Sequence, residues 1–221
     1  MIQLFNICKN YSREHAALRE ITLHVEKGEF IYVTGPSGAG KTTLLKLLYC
    51  AERPSRGQIL INGKNITRMS RTQVPFLRRQ VGVVFQDFKL LNTRTVFENV
   101  AFALEAQGRK RYEVGQKVYD CLKKVGLEHK LKARPLELSG GEQQRVAIAR
   151  ALAVDPLILL ADEPSGNLDA EVSQEIMELI KGANARGTTV LMATHDHFLR
   201  QQNPRRTLVL DGGRLVDDIQ P

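Results

Sequence analysis

The segment Gly35-Pro36-Ser37-Gly38-Ala39-Gly40-Lys41-Thr42-Thr43 constrains the fold more than any other stretch of the chain. It matches GxxxxGK[ST] and lies between the apolar run Phe30 to Val33 and a helical pattern carrying Leu44, Leu45, Leu47 and Leu48, which is the strand-loop-helix context such a loop requires. Its glycines let backbone amides turn inward as an anion nest, and the helix N-terminus adds its dipole. Lys41 can neutralise β- and γ-phosphate charge, and Thr42 can offer its hydroxyl oxygen to Mg²⁺. The loop alone leaves kinases, GTPases, recombinases and transport ATPases open.

Composition narrows the classes. At 221 residues and 43% hydrophobic content the chain is long enough for one large globular domain or a main domain carrying a smaller subdomain. The longest aliphatic run, Leu157 to Ala161, suits a buried strand and falls far short of a membrane span. Met1 to Asn6 shows neither a positive n-region nor an apolar h-region, so the expected location is the cytosolic side. Cys8, Cys50 and Cys121 are widely spaced and form no CxxC pair, and are expected to be reduced, buried thiols. The net charge of +8 is compatible with nucleic acid, an anionic leaflet or plain solubility. Its basic clusters, Arg68, Arg71, Arg78 and Arg79, then Arg109, Lys110 and Arg111, lack regularly interleaved aromatics, which favours solvated helix faces over a nucleic-acid platform.

Periodicity predicts the layout. Ile21, Leu23 and Val25 alternate with polar residues before Gly28 turns the chain towards Phe30 to Val33, a hairpin feeding a buried strand. Gln58 to Ile61 meets the hairpin signal Asn62-Gly63. From Thr95 to Leu152 the pattern is helical: Thr95 and Glu98 form a capping box, and Val114, Val118, Leu122 and Val125 keep helical spacing. Strand and helix alternate again through Leu157 to Ala161, Val172 to Ile180 and Thr188 to Ala193, and a terminal hairpin turns at Asp211-Gly212-Gly213. The expectation is an α/β fold with a mainly parallel core sheet, a flanking antiparallel sheet and an inserted α-helical subdomain at about 95–152, within one domain spanning 1–221.

Leu138-Ser139-Gly140-Gly141-Glu142-Gln143-Gln144 opens a further helix, with Ser139 and Glu142 as a second capping box. Paired glycines at a helix start are either a flexible cap or a second anion site. This stretch resembles the LSGGEQ signature of the ABC ATPases, with an expected RecA-like core. The resemblance implies that Ser139, Gly140, Gly141 and Glu142 meet, in trans, the γ-phosphate held by a second subunit. With one copy of each motif, it implies a homodimer in the ATP state.

Ile158 to Ala161 ends in Asp162-Glu163, carboxylates delivered at the C-terminal end of a strand. Asp162 reads as the Mg²⁺ acid and Glu163 as the group that polarises the attacking water, the alternative being an N-cap to the next helix. Gln86, after the strand Val81 to Phe85, has an amide that can reach both metal and water. The resemblance implies that His195 contacts the γ-phosphate and organises Glu163, that Ser165 to Asp169 crosses the dimer interface, with Ser165 in place of the more usual threonine, and that Tyr11 stacks on adenine; a plain surface tyrosine is the alternative. Cofactors are accordingly ATP and Mg²⁺.

Asn65-Ile66-Thr67, Val74 to Gln80, Phe85-Gln86-Asp87 and Val190 to Asp196 resemble the bacterial cell-division branch of the family, grouped with lipoprotein-releasing and macrolide-export ATPases. That implies a peripheral protein on the cytoplasmic face of the cell membrane, an integral membrane partner, and ATP-driven activation of peptidoglycan hydrolases; transport of a lipoprotein or macrolide is the alternative. Phe88, Leu90, Leu91, Val96 and Phe97 either dock that partner or build the helical core. A soluble family member acting on nucleic acid or ribosomes has only the basic charge in its favour, and no specific nucleic acid is expected.

Overall fold

The computed structural model describes residues 1–12, 16–166 and 168–221. Its strands are β1 (Ile2–Asn10), β2 (Ala16–Val25), β3 (Phe30–Thr34), β4 (Arg56–Ile61), β5 (Lys64–Asn65), β6 (Val81–Val84), β7 (Ile158–Asp162), β8 (Thr189–Ala193), β9 (Arg206–Asp211) and β10 (Arg214–Ile219). Its helices are α1 (Lys41–Leu48), α2 (Val74–Arg78), α3 (Val96–Ala106), α4 (Arg111–Lys124), α5 (Gly140–Leu152), α6 (Ala170–Ala185) and α7 (His197–Gln202). These fall into two compact units, 1–78 with 189–221, and 79–188.

In the first unit β2, β1, β4 and β5 form an antiparallel sheet. β2 buries Ile21, Leu23 and Val25 and exposes the residues between, the alternation of a sheet with one wet face. Ile61 pairs with Lys64 around Asn62-Gly63, as the hairpin signal predicts. A parallel set holds β3 between β8 and β9, and β10 closes back on β9 at Gly212-Gly213. All four residues Phe30 to Val33 are buried, the mark of a strand covered on both faces. One expectation changes: the turn at Gly28 does not pair its flanking strands. Half-wet β2 pairs with β1, Ile21 opposite Ile7, whereas buried β3 joins the parallel set.

In the second unit β6 and β7 run parallel, and the remainder is largely helical. α3 begins at the expected capping box: Thr95 accepts from the Glu98 amide and Glu98 from the Thr95 amide. Val96, Val100 and Leu104 of α3, Val114, Val118 and Leu122 of α4, and Val146 and Ala149 of α5 meet in one apolar core. Val96 is therefore core and not surface; Leu90 and Phe97 pack against that core, and Leu91 is more than a third exposed. Gly82 explains how closely α5 approaches β6, because a Cβ there would lie 2.6 Å from the Ala151 carbonyl oxygen.

The three thiols are free, but only Cys121 is buried; Cys8 and Cys50 are half-buried.

Candidate nucleotide-binding site

β3 and β8 are in parallel register, with Val33 opposite Ala193, and the Thr194 amide donates to the Val33 carbonyl at 3.1 Å. Gly35 and His195 each follow that pair by two residues, so the phosphate loop and the histidine leave the sheet at one edge. The loop is built by backbone geometry. Gly35 has φ 140°, and a Cβ there would sit 2.0 Å from the Leu210 carbonyl oxygen, so only glycine fits. Gly40, at φ 104°, is the N-cap of α1 and has no side chain to cover the helix's first amides. Pro36, Ser37, Gly38 and Thr42 are exposed, Thr43 is half-buried in the same turn, and Ala39 is tucked beneath the loop. Lys41 donates from Nζ to the carbonyls of Gly35 (2.8 Å) and Pro36 (3.1 Å), which poises its ammonium over the loop.

Tyr11 follows β1 and is half exposed. Lys9 Nζ lies 4.9 Å from its ring centroid and pairs with Glu52 at 2.8 Å. One face of the ring thus carries a cation–π contact, and half of the residue is open to solvent.

The same two-residue logic operates in the second unit. Val84 lies opposite Ala161 across β6 and β7, so exposed Gln86 and the pair Asp162-Glu163 leave the strands at the same end. Asp162 is half-buried and the Glu163 side chain is enclosed. Glu163 adopts φ 49°, a left-handed conformation that a non-glycine residue holds at a cost of about 1–3 kcal/mol unless its surroundings enforce it. The proline at 164 adds to the cost, since a residue before proline is biased towards extended backbone. A turn maintains it: the Gly166 amide donates to the Glu163 carbonyl at 3.0 Å. In the following segment Asn167 lies outside the described residues; Asp169 does N-cap a helix, α6, by accepting from Val172.

Ser139, Gly140, Gly141 and Glu142 open α5 with the expected capping box. Ser139 Oγ accepts from the Glu142 amide at 3.2 Å. The Glu142 carboxylate is occupied, accepting from the Ser139 amide at 2.9 Å, and that backbone bond holds its pKa below the usual glutamate range. Glu142 therefore shapes the loop, and its other carboxylate oxygen lies 3.7 Å from Lys130 Nζ.

Hydroxyl, carboxylate and amide oxygens at Thr42, Asp162 and Gln86 are the hard donors that Mg²⁺ takes. Among the described residues no group of three His, Cys, Asp or Glu side chains is placed to hold a metal ion.

Sequence reading gave no role to three buried or half-buried polar residues on the helices of this unit: Asn99, Gln144 and Arg150. Their signal was a polar residue within an apolar helical stripe, as in Gln144, Ala147, Ile148 and Ala151, all buried on α5.

A phosphate loop between a parallel strand and a helix, with paired carboxylates at the end of another strand, defines a P-loop nucleotide-binding cassette. The family model for the ABC transporter matches residues 18–166. The cell division ATP-binding protein FtsE of Bacillus subtilis is 47% identical over 99% of this chain and 96% of its own length. The proteins of the same name from Mycobacterium tuberculosis (48% identity, 100% and 96%) and Escherichia coli K12 (49%, 97% and 97%) are equally similar. Among solved structures, a dimeric post-hydrolysis state of the ATP-binding cassette MJ0796 bound to ADP and Pi superposes with a TM-score of 0.93 at 35% identity, covering 100% of this chain and 98% of that one. The chain belongs to the ABC transporter family of ATP-binding cassettes, within its FtsE group.

Proposed function

We propose that this chain is the ATP-hydrolysing subunit of a membrane complex that acts in bacterial cell division. It is an ATPase of the ABC type. The observation that carries the finer reading is near-full-length similarity, at 45–49% identity, to cell-division proteins from several bacteria. No helix among the described residues is long and apolar enough to cross a membrane. In this reading a separate integral partner, of the FtsX kind, carries the signal across. The complex sits at the cytoplasmic face of the cell membrane, where ATP-driven movement activates peptidoglycan hydrolases on the other side.

The residues divide the work as follows. The amides of Gly35 and of Ser37 to Thr43 enclose the phosphates beside Pro36, and Lys41 neutralises their charge. Tyr11 stacks on the base. Thr42, Gln86 and Asp162 would hold Mg²⁺, which would supply positive charge beside the phosphate oxygens. Glu163 polarises the attacking water and His195 holds the γ-phosphate. Ser139, Gly140 and Gly141 of a second copy, in a loop shaped by Glu142, complete the pocket, which makes ATP part of a homodimer interface. Residues 95–152 act as a helical subdomain of one cassette spanning 1–221, and Leu91 is the exposed apolar contact for the partner.

The test is mass spectrometry of membrane proteins retained by the tagged Glu163→Gln chain in detergent with ATP. An FtsX-like protein supports the cell-division reading. A lipoprotein-release or export permease moves the function to transport, and recovery of no membrane protein removes the complex altogether.

A further inference from the structure

Gln144 is only 1% exposed, on the buried face of α5. Its Nε2 donates to the carbonyl of Pro164 at 2.6 Å, and its Oε1, also buried, has no partner among the described residues. A glutamine kept in such a place is there for its donor. Proline has no amide, so this carbonyl is the one backbone polar group that Pro164 offers, and it belongs to the residue that follows left-handed Glu163. α5 is also tied to this segment at other points. Gly141 lies so close to Val172 that a Cβ would stand 3.0 Å from its Cγ1, a Cβ on Gly140 would stand 3.7 Å from Leu168, and Arg145 pairs with Glu175 at 2.7 Å. The loop expected to meet a second copy's nucleotide and the turn holding Glu163 are therefore one packed body, with Gln144 as its polar link.

We infer that Gln144 is a positioning residue for ATP hydrolysis: its amide donor fixes the Pro164 carbonyl, and with it the left-handed backbone that aims the Glu163 carboxylate. Displacement of Ser139 to Gly141 by a closing partner would reach Glu163 through this bond. The inference rests on Glu163 being the group that polarises water.

The experiment compares Gln144→Met, which keeps the volume and removes the donor, with Gln144→Glu, on the full chain. Steady-state hydrolysis of MgATP is read from pH 6 to 8.5 as a ratio to the parent, alongside binding of a fluorescent ATP analogue and thermal unfolding. For Gln144→Met the expected result is a fall in kcat of about tenfold or more, with KM and analogue affinity within about twofold of the parent. For Gln144→Glu the ratio should rise as pH falls, because the protonated carboxyl can donate to the Pro164 oxygen and the carboxylate cannot. Burial pushes that carboxyl's pKa up into the tested range. Parental kcat in both variants at every pH would overturn the inference, as would kcat, KM and thermal stability deteriorating together with no recovery at low pH. If Gln144→Met does not fold, the pH dependence of Gln144→Glu decides. Glu163→Gln, assayed in parallel, separates the two ideas: if it still turns over, the assignment of Glu163 fails, and if it is inactive while the Gln144 variants match the parent, only the positioning role fails.

Discussion

Arg150, in the last turn of α5, donates from Nη2 to the Phe88 carbonyl at 2.8 Å and from Nη1 to the Lys89 carbonyl at 2.6 Å. Phe88 and Lys89 are both left-handed, at φ 59° and 49°, and lie just beyond Gln86. One planar fork thus fixes two strained residues of the segment that carries Gln86 into the helical part, and burial draws the Arg150 pKa below its usual value. Arg150→Ala should destabilise by about 2–3 kcal/mol, as two carbonyls lose a charged donor. Arg150→Lys should recover only part of this, since a point charge cannot hold both oxygens. Denaturant unfolding measures both; an equal, negligible cost for the two would show that the fork holds nothing.

Asn99, fully buried on α3, organises the segment before that helix. Its Oδ1 accepts from the Leu91 amide at 2.8 Å, and its Nδ2 donates to the carbonyls of Leu91 (3.1 Å) and Thr95 (2.9 Å). Replacement by leucine fills the space but strands these groups, at an expected cost of about 3 kcal/mol. Amide exchange should accelerate first at Leu91. Protection there equal to the parent's would mean that the segment is ordered by other contacts.

Arg206 fastens β9 to β10 through a two-bonded fork on Asp218, both at 2.7 Å, and reaches Glu29 at 2.8 Å. The fork holds the Asp218 pKa below the usual carboxylate value. With the folded pKa depressed, the stabilisation is complete above the unfolded value of about 3.9 and fades as pH falls through the folded one. Asp218→Asn should therefore be less stable than the parent at pH 7, and the gap should begin to narrow below about pH 4 and vanish only as pH falls through the folded pKa. A gap that is constant with pH would exclude ionisation of Asp218 as its source.

Both capping boxes, the turns at Asn62-Gly63 and Gly212-Gly213 and the phosphate loop were legible because each is decided within a few residues, by a side chain that caps a helix or a backbone angle that only some residues adopt. The pairing of β2 was not, because a turn signal at Gly28 says that the chain reverses and not which strand it will join. The alternating burial of β2 against the continuous burial of β3 is the finer cue. Gln144 and Arg150 were hidden for another reason. Their partners, Pro164 and the pair Phe88-Lys89, lie 20 and about 60 positions away and offer carbonyl oxygens, which every residue has. The clustering of Leu90, Val96 and Phe97 marked an important region, but only packing separated the buried valine from exposed Leu91.

Lys41 and Glu163 should fail in different ways. Lys41→Ala removes the charge above the loop and should lose nucleotide binding itself, seen as loss of analogue affinity with little change in thermal stability. Retained affinity would place the phosphates elsewhere.

The most direct measurement is analytical ultracentrifugation of Glu163→Gln with MgATP, followed by assay of the nucleotide in the sedimented species. The expected result is a dimer that holds unhydrolysed ATP, while the parent under the same conditions turns over and yields ADP. A Glu163→Gln chain that stays monomeric, or that converts its ATP to ADP at the parental rate, would contradict it.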